Sequence, residues 1–119
     1  MKDNLYLIDG DNNLKDAIAG IPEKADETDD IRIFCSQIGN YRHLKQKKLP
    51  HTKVIYVKSK KKGDQAVDNR IKAVLGNAMK DRPQNAMVIS QDKGYDEFLE
   101  KKRKKFKRND NHVDRRDIF

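Results

Sequence analysis

The stretch LYLIDGDNN, residues 5–13, runs four apolar side chains directly into Asp9, Asp11, Asn12 and Asn13. A short, continuously apolar run of this kind has the pattern of a strand covered on both faces, as in a parallel sheet. Parallel strands need crossover connections, so helices should alternate with further strands. IRIFCS (31–36), KVIYVKS (53–59) and AMVIS (86–90) supply three more strands. Helices are expected at 12–21, limited by Gly20 and Pro22, at 37–48, at 64–79 and at 93–104. The third is the best marked: Val67, Ile71, Val74, Leu75 and Ala78 keep the 3, 4, 7, 8 spacing of one buried stripe. EKADETDD (23–30) reads as a loop, and KFK (105–107) as the start of a short fifth strand. The last dozen residues read as a tail or a docked arm. The fold expected is α/β, with a central parallel sheet of four to five strands.

In such a sheet, functional groups gather beyond the carboxyl ends of the strands. Asp9 ends the first strand and Ser36 the second; the third leads to Asp64 and Asp68, and the fourth to Ser90, Asp92 and Asp96. Asp64 and Asp68 are four apart on one helix, and Asp92 and Asp96 repeat that spacing on the next. Carboxylates converging in one cleft repel one another and raise each other's pKa. A divalent cation removes that cost, and all-oxygen ligands suit Mg²⁺ or Mn²⁺. N-capping explains Asp64 or Asp92 taken singly. It does not explain Asp9, Asp68 and Asp96 together.

Composition narrows the partner. The chain has 119 residues, 39% of them charged, and a formal net charge of +8. Lysine-rich tracts stand at 58–62 (KSKKK) and 101–108 (KKRKKFKR). Tracts of this kind are solvated helix faces or contacts to a polyanion, and with two of them the expectation is nucleic acid. Lys60, Lys61, Lys62, Lys93, Lys101, Lys102, Arg103, Lys104 and Lys105 are the expected phosphate contacts. A metal held by carboxylates can polarise a phosphoryl oxygen and activate water. Asn12 and Ser36 are expected to support the site. Cys35 is the single cysteine and His43, His51 and His112 are scattered, so structural zinc and a cysteine nucleophile find no partner set. No run approaches transmembrane length, and a reducing cytosol is the expected compartment.

Three segments, LIDGDNN, GDQAVDNRIKAVL and VISQDKGYDEFL, resemble the PIN-like and NYN superfamily of metal-dependent ribonucleases. The strand followed by Ser90-Gln91-Asp92-Lys93-Gly94-Tyr95-Asp96 is the most specific of them. The resemblance implies a single PIN-like domain over 1–119, a three-layer α/β/α sandwich with a basic segment at about 101–119. It implies endoribonuclease activity on single-stranded or structured RNA. Asp9, Asp68, Asp92 and Asp96 would be the catalytic and metal-binding acids, with Asn12 the supporting amide. Asp11 stands where the family commonly has glutamate, and Asp64 is an additional acid; with Ser36 and Ser90 they complete the supporting set. Two alternatives stay open. DGDNNL also resembles the opening of haloacid-dehalogenase-type phosphatases, where Asp9 would be the nucleophile and Asp11 the general acid. The chain could also be a basic RNA-binding module without catalysis. A homodimer through the helices and an inhibitory protein partner are left open by the sequence.

Overall fold

The computed structural model describes residues 3–60 and 65–119. Its centre is a five-stranded, wholly parallel sheet in the order β3-β2-β1-β4-β5. The strands are β1 (Asn4–Asp9), β2 (Asp29–Cys35), β3 (Thr52–Tyr56), β4 (Asn85–Ile89) and β5 (His112–Arg116). The helices are α1 (Leu14–Ile18), α2 (Ile21–Lys24), α3 (Ile38–Lys47), α4 (Ala66–Asp81) and α5 (Gly94–Lys105). No described helix is long and apolar enough to cross a membrane.

Successive side chains of a strand point to opposite faces, and this assigns the layers. Leu5 and Leu7 of β1, with Ala86 and Val88 of β4, pack with Val67, Ile71, Leu75 and Met79 of α4 and with Tyr95 and Leu99 of α5. Ile8, Ile31, Ile33, Cys35 and Ile89 pack on the other face with Ala17, Ile18, Ile21 and Leu44 from α1, α2 and α3. Three layers result, with β1 at the middle of the sheet. Burial on both faces is why the strand sequences read as continuous apolar runs.

Several boundaries differ from the sequence expectation. The first helix stops at Ile18, and Pro22 opens α2 rather than ending α1, since proline suits a first helical turn that has no N–H to satisfy. The segment expected as a loop at 23–30 therefore begins in a helix, and its Asp29 and Asp30 already pair with Asn4 and Leu5. KFK does not start the fifth strand. Helix α5 runs through Lys105, a 3₁₀ turn follows at Lys107–Asn109, and β5 comes afterwards. The terminal segment is a docked arm. Val113 enters one core, while Phe119 enters the other and lies 4.6 Å from the Tyr6 ring. The charged side chains of β5 suit an edge strand, where they discourage pairing with another chain.

Candidate active site

Asp9 continues the side of β1 that carries Leu5 and Leu7, so it faces α4 and α5. Ser90, just past β4, continues the side of Ala86 and Val88 and meets it. The two residues flank the point where strand order reverses, since β1 connects outward to β2 while β4 lies on its other side. Crevices in doubly wound sheets open there.

Asp9 is buried, only 8% exposed. One of its oxygens accepts from the Asp11 N–H at 3.1 Å, and the other from the Ser90 hydroxyl at 3.4 Å. Burial raises its pKa above the usual carboxylate value, and the nearby charges of Asp11 and Asp68 add to the rise against those two hydrogen bonds. Asp68, in the first turn of α4, is partly buried, and Lys72 Nζ pairs with it at 3.0 Å one turn on. Asp92 follows Ser90, whose hydroxyl accepts from the Asp92 N–H at 3.1 Å. Its own Oδ1 accepts from Gly94 N–H at 2.8 Å as α5 begins.

The Tyr95 hydroxyl is where these three acids are felt together. It is buried and has no partner within hydrogen-bond geometry. Burial first, and then the charges of Asp9, Asp68 and Asp92, hold it protonated far above the ordinary phenol range. Asp9, Asp68 and Asp92, from three separate segments, thus all bear on the charge state of one buried hydroxyl.

Asp96 lies in an ion pair. Both of its oxygens are taken by Arg115 at the end of β5, Oδ1 by Nε at 2.9 Å and Oδ2 by Nη2 at 3.3 Å. Arg115 also donates to the Ser90 carbonyl at 2.9 Å and to Asp117 at 2.8 Å. Asp11 is a stitch between strands: it accepts from the Ser36 N–H at 3.0 Å and from the Ser36 hydroxyl in a short bond. That fixes the supporting role of Ser36 to the backbone frame. Gly10 makes the frame possible, because a Cβ there would stand 2.5 Å from Cys35 Sγ and 2.7 Å from the Phe34 carbonyl. Asn12 is half-buried in the bend after β1.

The basic residues divide. Lys60 and Lys93 are exposed near the carboxyl edge, while Lys61, Lys62 and Asp64 lie outside the described residues. Helix α5 starts at that edge and runs back against the strands, so the 101–105 tract ends about 17 Å away along the helix. There Lys101 pairs with Glu97, Lys104 with Glu100, and Arg103 donates to the Val113 carbonyl. Lys72, Tyr95 and Arg115 are the site residues that sequence reasoning missed. Lys72 had a local signal, four residues after Asp68. Arg115 had none, because its position depends on the register of β5.

Among the described residues, no three of Asp, Glu, His and Cys gather closely enough to enclose a metal by themselves. What the donor set fits is Mg²⁺ or Mn²⁺, which is commonly bound through one or two carboxylates and keeps several waters. Asp9 and Asp68 are two such carboxylates, and Asp68 is ion-paired with Lys72. A cavity of about 530 Å³ lies at the opposite edge, beside Asn4, Asp30, Arg32 and Asp81, and contains none of these acids.

A doubly wound parallel sheet with aspartates at its carboxyl edge beside the switch point defines the class: an α/β domain with an acidic edge. The family model for the PIN domain matches residues 3–108, and the chain belongs to that family, which is generally one of metal-dependent nucleases. No curated protein and no solved structure matches the chain.

Proposed function

We propose that this protein is a Mg²⁺- or Mn²⁺-dependent endoribonuclease that hydrolyses phosphodiester bonds in the crevice between β1 and β4. The observation that carries this is the buried Asp9 carboxylate at the end of β1, tied through the Ser90 hydroxyl to the loop that bears Asp92. Asp9 and Asp68 would hold the metal, which when bound supplies Lewis acidity and lowers the pKa of water.

The rest follows from the chain's own residues. Ser90 sets the Asp9 carboxylate and, through the Asp92 N–H, the loop that carries the third acid. One Asp92 oxygen is committed to Gly94; among the described residues the other has no hydrogen-bond partner, which suits it to orient a water. Asp96 acts through Arg115 as a positioning residue, since that guanidinium ties α5 and β5 to the Ser90 carbonyl. Lys60 and Lys93 are placed to contact the phosphate backbone of RNA, a role that the net charge of +8 supports.

The test is cleavage of fluorescent single-stranded RNA, with single-stranded DNA alongside, in EDTA, Mg²⁺ or Mn²⁺. Wild type should cut RNA only with metal, and Asp9→Asn and Asp68→Asn should each lose at least about 100-fold in rate while keeping the wild-type circular dichroism. Cleavage by Asp68→Asn at the wild-type rate refutes the site assignment.

A further inference from the structure

Helices α4 and α5 enclose a groove of about 400 Å³ on the outer side of their layer. Lys72, Gly76 and Lys80 line it from α4, and Phe98, Lys102 and Lys105 from α5, with Phe106 at its end. Cations and rings alternate along it. Lys72 Nζ lies 5.6 Å from the Phe98 ring, Lys102 Nζ 5.5 Å from Phe98 and 5.8 Å from Phe106, and Lys105 Nζ 5.4 Å from Phe106. Such contacts hold flexible ammonium groups in place at small cost in solvation.

No carboxylate lines the groove. The contrast lies within a single helix: α5 pairs its outward lysines, Lys101 and Lys104, with glutamates one turn back. Among the described residues, Lys80, Lys102 and Lys105 have no ion-pair partner. Beside Lys72, whose charge Asp68 offsets, these three like charges repel one another, and an anion relieves that repulsion. Gly76 keeps the floor open. A mid-helix glycine costs about 1 kcal/mol against alanine, yet a Cβ there would meet the end of the Lys102 side chain, Cε at 3.7 Å and Nζ at 3.8 Å, both ordinary contacts. Packing gives no reason for it; the open floor does.

The groove also has a direction. Lys72 belongs both to it and to the acidic crevice, through Asp68. From Asp68 to Lys80 helix α4 rises about 18 Å. We infer that the α4–α5 groove carries the backbone of single-stranded RNA away from the acidic crevice, its phosphates on Lys72, Lys80, Lys102 and Lys105. The direction of travel rests on the nuclease function proposed above; the binding itself does not.

The experiment is fluorescence anisotropy of a labelled 12-nucleotide single strand in EDTA, across a salt series, with the full chain. Lys80→Gln/Lys105→Gln should weaken binding at least about fivefold and lower the salt slope by about 1.4, the counterion release of two single-strand phosphates. Lys45→Gln/Lys47→Gln removes the same charge from α3 in the opposite layer and should change affinity less than about twofold. Gly76→Gln fills the floor without altering charge and should also weaken binding, while gaining helix propensity. Equal loss in both double variants would show a general charge effect and overturn the groove. So would loss in neither, or a duplex or polyglutamate of matched charge binding equally well through the same lysines. Groove-dependent binding by a protein that never cuts with Mn²⁺ supports the groove and refutes the nuclease. Metal-dependent cutting with binding indifferent to the groove variants does the reverse.

Discussion

Asp9→Asn should make the metal-free protein more stable while abolishing its response to metal. The carboxylate is 8% exposed, accepts two hydrogen bonds among the described residues, and sits beside the charges of Asp11 and Asp68. The Lys72 ammonium is paired with Asp68. An asparagine has the same shape, keeps an oxygen for the Asp11 N–H, and offers Ser90 an amide in place of a charge. Relieving an under-compensated buried polar group is worth about 1–2 kcal/mol. With an unfolding entropy of about 0.25 kcal/mol/K for a chain this long, that is a rise in Tm of about 4–8 °C. The pH dependence has a fixed sign. The folded pKa of Asp9 is raised, so protonation favours the fold; the wild type gains on the variant as pH falls through that raised value. Below about pH 4, where the unfolded carboxylate is also protonated, the difference in Tm should vanish. Saturating Mn²⁺ should reverse the order, since ligand at about 100 times its Kd stabilises the wild type by about 2.7 kcal/mol and leaves the variant unmoved. Thermal melts followed by circular dichroism in EDTA and in Mn²⁺, at pH 7.5 and pH 4, test all of this. If Asp9→Asn melts below wild type in EDTA at pH 7.5, the carboxylate is held by its hydrogen bonds, and the electrostatic account of the crevice is wrong.

Arg115→Met should cost about 2–3 kcal/mol in urea unfolding. Most of that comes from the charge-assisted bond to the Ser90 carbonyl, because Asp96 and Asp117 are at least half exposed and their pairs contribute little; a loss under about 0.5 kcal/mol, the size usual for a surface residue, would mean that β5 docks without it. Gly10→Ala should destabilise by about 1–3 kcal/mol through overpacking, and adding Cys35→Ala should recover only part, because the Phe34 carbonyl still blocks the new Cβ. A full recovery would place the whole clash on sulfur. Cys35 is buried and its thiol is pushed up to about 12, mainly by burial and then by Asp11 and Asp9. It should react with a disulfide reagent only in urea beyond the unfolding midpoint, and prompt labelling in native buffer would contradict its place in the core.

The layers were legible because burial on both faces leaves an unmistakable apolar run at each of β1, β2 and β4, and because α4 keeps its stripe over three turns. The order of elements then carries Asp9, Asp68 and Asp92 to one edge. What was not legible depended on contacts distant in sequence. The segment 112–116 has one buried apolar residue, Val113, and nothing local marks it as a strand; pairing with β4 makes it one. Asp96 falls at the same helical spacing as Asp68 and looked equivalent, but Arg115 claims it from nineteen residues away. The basic tract at 101–105 was visible as charge alone. Only the antiparallel course of α5 shows that it lies down the helix from the crevice, and only neighbouring side chains separate paired lysines from unpaired ones.

The middle position of β1 has a consequence for how the chain acquires its structure. β1 is the earliest strand to be synthesised, yet one of its neighbours is β4, with Asn4 opposite Asn85. At about 5–20 residues per second, roughly 4–16 s separate the emergence of the two. During that interval β1 can pair with β2 on one side only, leaving an apolar strand with an open row of backbone groups. Nascent chains paused before β4 should therefore be the form most prone to aggregate or to occupy chaperones, and slowing translation between α4 and β4 should lower soluble yield without altering the finished protein.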